Sequence, residues 1–363
     1  MGRRILRRRG AGPGRRALLL VGVLTACSAS ADPTNTPATG TADEPICPAP
    51  GPGVEVGGDD PTSEARPTSE TRLVLMGGGP EVDPAMLGFL EAAAGGDVLV
   101  LRATGSLTSY PDYFRRTLAP DPSPASASTV RTSTPSAGDD PAVLCRLAGA
   151  EAIWLAGGNQ WDYLGGWPPA LHAALSEAGA RGAVVGGTSA GAVVQGEAAF
   201  AAREGTVTSS EALADPLGPS TFLTYPEFAR PELAATLVDS HFQARDREGR
   251  LLAFLGRFLH ERGGAAVVGI GLDEEVALTV EDGRYRVEAT TSGEAGAGSV
   301  WLYRVAGPVA LAPGKPLMLD SVRRVRLEHG AEGPWPYGWG GAGTGEAGQA
   351  LHVDAGVVRT GTP

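Results

Sequence analysis

Short apolar runs alternate with amphipathic stretches from residue 71 to about residue 190. Thr71–Gly79 is apolar and ends in three glycines, which predicts a buried strand running into a loop. Asp83–Ala94 has helical spacing, Asp97–Thr104 reads as a second strand, and Tyr110–Leu118 as a helix. Ala119–Ala127 is rich in Pro and Ser and reads as a loop, followed by a short strand at Ser128–Thr132. Asp139-Asp140-Pro141 has the acidic cap and early proline of a helix start. A strand at Ile153–Ala156, a helix at Pro168–Ala178 and a strand at Ala183–Gly186 continue the alternation. Strand-helix alternation predicts a mostly parallel sheet covered on both faces, with ligands bound beyond the carboxyl ends of its strands. The glycine loops at 77–79, 157–158 and 186–187 all fall at such ends. Residues 266–306 are strand-rich with few helices, which predicts closure by antiparallel strands. From about residue 330 the chain is Gly-rich, with Trp335 and Trp339 and little periodicity.

The candidate chemistry sits on this frame. Gly187-Thr-Ser189-Ala-Gly191 fits the Gly-x-Ser-x-Gly pattern of a sharp strand-to-helix turn that presents a serine hydroxyl. Glycines flank the serine because side chains there would clash, and amides at the helix start can face a developing oxyanion. Among 53 glycines such a pattern also arises by chance. Upstream, Glu151-Ala-Ile-Trp-Leu-Ala-Gly-Gly-Asn-Gln160 is an apolar strand ending in a polar turn. Downstream come Leu237-Val-Asp-Ser-His-Phe-Gln-Ala-Arg245 and Gly269-Ile-Gly-Leu-Asp-Glu-Glu-Val276. Of five histidines, His241 alone follows an apolar run and can reach the serine turn from a strand end. His172 and His260 have the spacing of helix-surface residues, and His329 and His352 lie in the weakly patterned C-terminal part.

These four motifs, in this order, closely resemble the cyanophycinase and dipeptidase E family of serine peptidases over about residues 70–290. The resemblance implies an α/β three-layer sandwich with a flavodoxin-like or glutamine-amidotransferase-like sheet that closes with antiparallel strands. It implies Ser189 as nucleophile, His241 as general base and Glu274 as the acid that orients the imidazole, with Asp273 and Glu275 as neighbouring rivals for that role. It places Gly158, Asn159 and the Ala190 amide at the oxyanion hole and Gln160 in the substrate pocket. Arg245, Arg247 and Arg250 have the spacing of arginines that bind the carboxylates of a β-aspartyl residue; a planar guanidinium fork suits that task. The implied substrate is an aspartyl or β-aspartyl peptide, with the polymer cyanophycin as one candidate. Ser240 stands where cyanophycinases often carry Gln, which counts against the polymer. No cofactor or metal is implied. A homodimer is one option for the assembly.

Two other readings stand beside this one. An α/β-hydrolase-type esterase would order its triad Ser, acid, His and would need His329 or His352. A non-catalytic surface binding lipoprotein would keep the fold without the chemistry.

The N-terminus changes the picture of location. Arginine-rich residues 1–16 precede the apolar run Ala17–Leu24 and Leu24-Thr-Ala-Cys27, the arrangement of a signal peptide. The run is too short to span a bilayer, and Leu-Thr-Ala-Cys resembles a lipobox in which Cys27 is lipidated and becomes the new N-terminus. Arg15-Arg16 also permits twin-arginine export. Removing the seven arginines of residues 1–26 takes the formal charge from −11 to −18, a poor match for nucleic acid. The expected organisation is a signal peptide at 1–26, a disordered tether at 27–71, a peptidase domain at 72–290, and a C-terminal β extension with a Gly-rich tail at 291–363. The tether contains the duplication Pro61–Arg66 and Pro67–Arg72. Cys47 and Cys145 remain after processing, and export would allow them to bond.

Overall fold

The computed structural model describes residues 46–62, 72–132, 135–290, 298–339 and 348–362. The signal segment, Cys27 and the duplicated stretch beyond residue 62 lie outside the described residues.

The strands that the apolar runs predicted form the centre of a nine-stranded sheet. In chain order these are β1 (Val54–Gly58), β2 (Arg72–Met76), β3 (Asp97–Arg102), β4 (Ser126–Thr132), β5 (Ala152–Leu155) and β6 (Val184–Thr188). β4, β3, β5, β6 and β2 lie side by side and parallel. The helices between them are α1 (Asp83–Ala92), α2 (Ser109–Asp112) with a π-helical continuation at Tyr113–Leu118, α3 (Pro141–Gly149), α4 (Gln160–Leu164), α5 (Pro169–Ala180) and α6 (Ala190–Val193). α3 starts where its sequence marks it, with the Asp140 carboxylate accepting the Ala142 amide at 2.8 Å and satisfying one orphan N–H.

Then follow β7 (Ala199–Phe200), α7 (Ser209–Ala214), β8 (Leu223–Thr224), β9 (Thr236–Asp239), α8 (Glu248–Arg262), β10 (Ala266–Leu272), β11 (Val276–Glu281), β12 (Arg284–Ala289), β13 (Val300–Ala306), β14 (Leu319–Leu327), β15 (Glu332–Pro334), β16 (Gln349–Asp354) and β17 (Val357–Thr360). β11, β12 and β15 extend the first sheet beyond β2 in antiparallel fashion. β9 and β10, a parallel pair, start a second sheet that continues antiparallel through β13, β14, β16 and β17.

The period-2 alternation of each strand decides what covers it. Val74, Val98, Val100 and Trp154 point to one face of the first sheet, against Met86, Phe89 and Leu90 of α1. Leu99, Leu101, Ile153 and Leu155 point to the other, against α3 and α5. On that same face Leu73 and Leu75 instead meet Val238, Ile270, Leu272 and Leu302 of the second sheet. The outer face of the second sheet is covered by Leu251, Phe254, Leu255 and Phe258 of α8.

The expected three layers therefore hold over β3 and β5. Toward β2 the stack becomes helix, sheet, sheet, helix. The antiparallel strands do more than close one sheet: they build a second one, because their inward faces have Leu73 and Leu75 to cover.

Two expected boundaries are corrected. Residues 46–62 are not part of a disordered tether: β1 pairs antiparallel with β4 from Val54↔Thr132 to Gly58↔Ser128. Thr62 also donates its amide and hydroxyl to Asp97, each at 3.0 Å. Cys47 is bonded to Cys145 on α3, closing a loop that spans 98 positions. Closing so long a loop removes much unfolded-state entropy, which helps to order a segment whose own composition is polar. Nor do residues 298–339 and 348–362 lie outside the 72–290 body as an extension: β13, β14, β16 and β17 share a sheet with β9 and β10, and Leu351 and Val353 belong to the α8 core.

Candidate active site

The carboxyl ends of β2, β5 and β6 in the first sheet, and of β9 and β10 in the second, converge on one place. Ser189 follows β6 directly and caps α6 with φ 53° and ψ −117°. That conformation is costly for a residue with a Cβ, on the order of 1–3 kcal/mol, and it persists only when the surroundings impose it. Here the Ser189 amide donates to Met76 O at 3.0 Å, and its carbonyl accepts from the Ala192 and Val193 amides at 3.1 Å. The turn can close only over glycine: a Cβ at Gly191 would lie 2.0 Å from the Leu155 carbonyl oxygen.

His241 follows β9 and also has a positive φ, 48°. Its amide donates to Gly77 O at 2.8 Å, fixing the β9 end against the β2 end. Its Nε2 is 2.7 Å from Ser189 Oγ, and its Nδ1 is 2.5 Å from Glu274 Oε1. Gly78, in the glycine loop after β2, backs the imidazole so closely that a Cβ there would lie 2.3 Å from the ring. Only the three-dimensional approach reveals that requirement.

Glu274 occupies the turn between β10 and β11, where the chain crosses from one sheet to the other. Its rivals are otherwise engaged. Asp273 is buried and accepts the Gln243 amide at 3.0 Å, the Ser299 amide at 2.9 Å and the Trp301 indole N–H at 3.1 Å. Glu275 accepts the Thr290 hydroxyl at 3.1 Å. Residues 273–275 form a turn rather than a strand, so their side chains do not alternate between two sheet faces.

Burial holds the His241 pKa below its ordinary value of 6.5, against the opposing pull of the Glu274 hydrogen bond and with a further downward push from Arg245 and Arg247. A histidine with a lowered pKa is neutral, and able to accept a proton, over a wider range. The acidic limb of kcat/KM should therefore lie below pH 6.5, with activity rising as pH rises through it. Glu274→Gln removes an influence that raises the pKa, so the limb should move to lower pH as the rate falls. Rate profiles of the two proteins between pH 4 and 8 check this, and a limb that moves upward would contradict it.

The Gly157–Asn159 loop follows β5 beside the serine. A Cβ at Gly157 would come 3.5 Å from Ser189 Cβ. The buried Tyr163 hydroxyl donates to Ala156 O at 2.7 Å and also contacts Gly157 O at 3.3 Å. In a planar trans peptide the N–H opposes the C=O, so the Gly158 amide points away from Tyr163. The Asn159 side chain is used locally, its oxygen capping α4 by accepting the Trp161 amide at 3.2 Å. Ala190 is the first residue of α6, so its amide has no partner within that helix.

A cleft of about 660 Å³ is lined by Gly158, Asn159 and Gln160, by Arg245, Asp246, Arg247 and Arg250, and by the hydroxyl residues Thr206, Thr208, Ser209 and Ser210. The three arginines are not equivalent. Arg245 is exposed and forms no ion pair among the described residues. Arg247 is buried; its Nη1 donates to Ser240 O at 2.7 Å and reaches Asp239 at 3.4 Å. Desolvation brings its pKa down to about 10, with Asp239 opposing, so it is still a cation at neutral pH.

Arg250 departs from the expected substrate-binding role. It is buried, with Nε and Nη2 donating to Asp239 at 2.8 and 2.6 Å and Nη1 to Thr206 Oγ1 at 3.1 Å. Each guanidinium nitrogen is already engaged, and Arg250 belongs to the wall. Asp239, the first residue of the Asp-x-His-Phe motif, had no expected role and proves to be the anchor of both buried arginines.

The histidines needed by an esterase with triad order Ser, acid, His lie elsewhere. His329 Nδ1 meets the Ala289 amide at 3.1 Å, and His352 Nδ1 meets Gly361 O at 3.1 Å.

Comparison with known proteins agrees with the motifs. Peptidase family S51 matches residues 73–288, more than half of the chain. Among solved structures, a peptidase from an acI-B1 Actinobacterium is similar at 16% identity and TM-score 0.48, over 74% of this chain and 99% of that one. A putative peptidase E protein from Listeria monocytogenes EGD-e is similar at 15% identity and TM-score 0.39, over 61% of this chain and 100% of that one. No curated protein matches. The chain belongs to peptidase family S51 and is a serine peptidase.

Proposed function

We propose that the chain hydrolyses aspartyl or β-aspartyl peptide bonds through Ser189, His241 and Glu274. The observation that carries the mechanism is the unbroken line of contacts from Ser189 Oγ through the imidazole to Glu274, at 2.7 and 2.5 Å. Ser189 Oγ bonds to the scissile carbonyl carbon while His241 Nε2 takes its proton. The C–N bond then breaks, and the amine leaves with that proton. Water, deprotonated by His241, releases the acyl group and restores the serine. Glu274 holds the imidazole tautomer and stabilises the imidazolium. The amides of Gly158, Asn159 and Ala190 are the candidates to receive the oxyanion.

The substrate class rests on the cleft. Two cationic side chains, Arg245 and Arg247, line it beside Gln160, in a chain of strongly negative formal charge. An anionic side chain in the substrate suits that lining, and a β-linked aspartate offers its free α-carboxylate as well. Arg245→Ala or Arg247→Ala should lower kcat/KM for aspartyl substrates by about tenfold or more, the effect of losing a charge-assisted contact. Neutral peptides should change much less. Assays on matched aspartyl, β-aspartyl and neutral dipeptides check this, and an unchanged ratio would remove the substrate assignment while leaving the serine mechanism in place.

Export and anchoring complete the proposal. The N-terminal pattern supports a lipoprotein held at the membrane through Cys27. Cys27→Ser should block lipidation and the linked cleavage. Wild-type protein that is wholly soluble and carries no lipid mass would overturn the anchor.

A further inference from the structure

We propose that the cleft beside Trp335, Tyr337 and Trp339 binds a quaternary or alkylated ammonium group. This site is separate from the serine. Thr236, at the start of β9, lines it, whereas His241 lies past the other end of that strand. Five residues of extended chain separate the two, on the order of 15 Å.

The cleft holds about 410 Å³. Its aromatic walls are Trp335, Tyr337 and Trp339, and Tyr337 and Trp339 meet at 71° with centroids 5.3 Å apart. Crossed rings form a box, which suits a rounded ammonium better than a flat guanidinium that would stack between parallel walls. The ring faces carry partial negative charge and attract a cation. Trp335 is fixed in place, its indole N–H donating to Glu232 O at 2.7 Å.

The second observation concerns charge. Glu232 lines the cleft, and its Oε2 is buried with no hydrogen-bond partner among the described residues. Only its Oε1 is paired, with Arg230 at 3.3 Å, and Arg230 is not part of the lining. Asp282 adds a second carboxylate to the lining. An alkylated ammonium satisfies both features at once. Its charge answers the free carboxylate oxygen, and its methyl groups fill the space between the aromatic walls.

The test uses the folded chain with choline as probe and 3,3-dimethyl-1-butanol, its neutral isostere, as control. Calorimetry should show saturable choline binding at least about tenfold tighter than the isostere. Trp339→Ala and Glu232→Gln should each weaken choline binding by about tenfold or more, with peptidase activity and melting temperature close to wild type. Co-sedimentation with phosphatidylcholine but not phosphatidylglycerol vesicles would identify a lipid headgroup as the source. Binding of choline without vesicle association would identify a free solute. No saturable choline binding, equal affinity for the isostere, or undiminished binding in both variants would overturn the proposal.

Discussion

Ser189→Ala should remove at least about 10⁴-fold of the hydrolytic rate while the protein folds and melts as wild type. Loss of a triad nucleophile typically costs 10⁴- to 10⁶-fold, with a residue of catalysis left to the oxyanion donors and substrate binding. The fold should be indifferent, because the contacts that hold the elbow are backbone ones: the Ser189 amide on Met76 O and the Ala192 and Val193 amides on the Ser189 carbonyl. Alanine makes all of them and bears the same strain at φ 53°. Purified Ser189→Ala protein retaining more than a few per cent of wild-type kcat would rule out Ser189 as the nucleophile.

The second large effect is expected away from the reacting atoms. Asp239 is buried, and its two oxygens receive Arg250 at 2.8 and 2.6 Å and Arg247 at 3.4 Å. Arg250 is itself buried and packs over the Phe200 and Phe254 rings. Asp239→Ala leaves this guanidinium without a counter-charge inside the protein. Breaking a buried ion pair from one side costs about 3–5 kcal/mol, more than most single core truncations. A fall in Tm of roughly 10 °C is expected for a chain of this size. kcat/KM should fall as well, because Arg247 loses one of its two holds on the cleft wall. Asp239→Asn keeps the shape and one acceptor, so its loss should be smaller. A thermal melt of Asp239→Ala within about 2 °C of wild type would show that the pair contributes little.

The contrast between these residues shows how much of the site the sequence could carry. Ser189 was legible because its chemistry needs a local shape, and the shape needs glycines at fixed offsets. His241 was legible because the chain has few histidines and only one follows an apolar run. The burial of Arg250 is not legible, for the opposite reason. Its spacing matched its neighbours, but burial and the Asp239 partner depend on how α8 packs over the second sheet. The anchoring role of Asp239 is not legible, because one acidic residue at a strand end is no different, in sequence, from a solvated one.

The fold divides in the same way. The parallel strands could be read from apolar runs between helices. The second sheet could not, because the runs at 266–306 look alike whether they extend one sheet or form two. Residues 46–62 read as tether by composition, and only their pairing with β4 and the bond to Cys145 place them in the body. Trp335, Tyr337 and Trp339 carry no period, and they form a cleft only once β15 has joined the edge of the first sheet.

The most direct measurement is a rapid-quench experiment with a chromogenic aspartyl substrate, followed by intact-mass analysis and peptide mapping. A burst of released amine close to one equivalent per enzyme, or a transient mass increase equal to the aspartyl acyl group and mapped to Ser189, is the predicted result. The adduct should be absent from Ser189→Ala and should accumulate on Ser189 in His241→Ala protein treated with an activated ester, because removal of the acyl group still needs the missing base. Full-rate hydrolysis with no adduct on Ser189 under any quench time, matched by an unimpaired Ser189→Ala protein, would contradict the account.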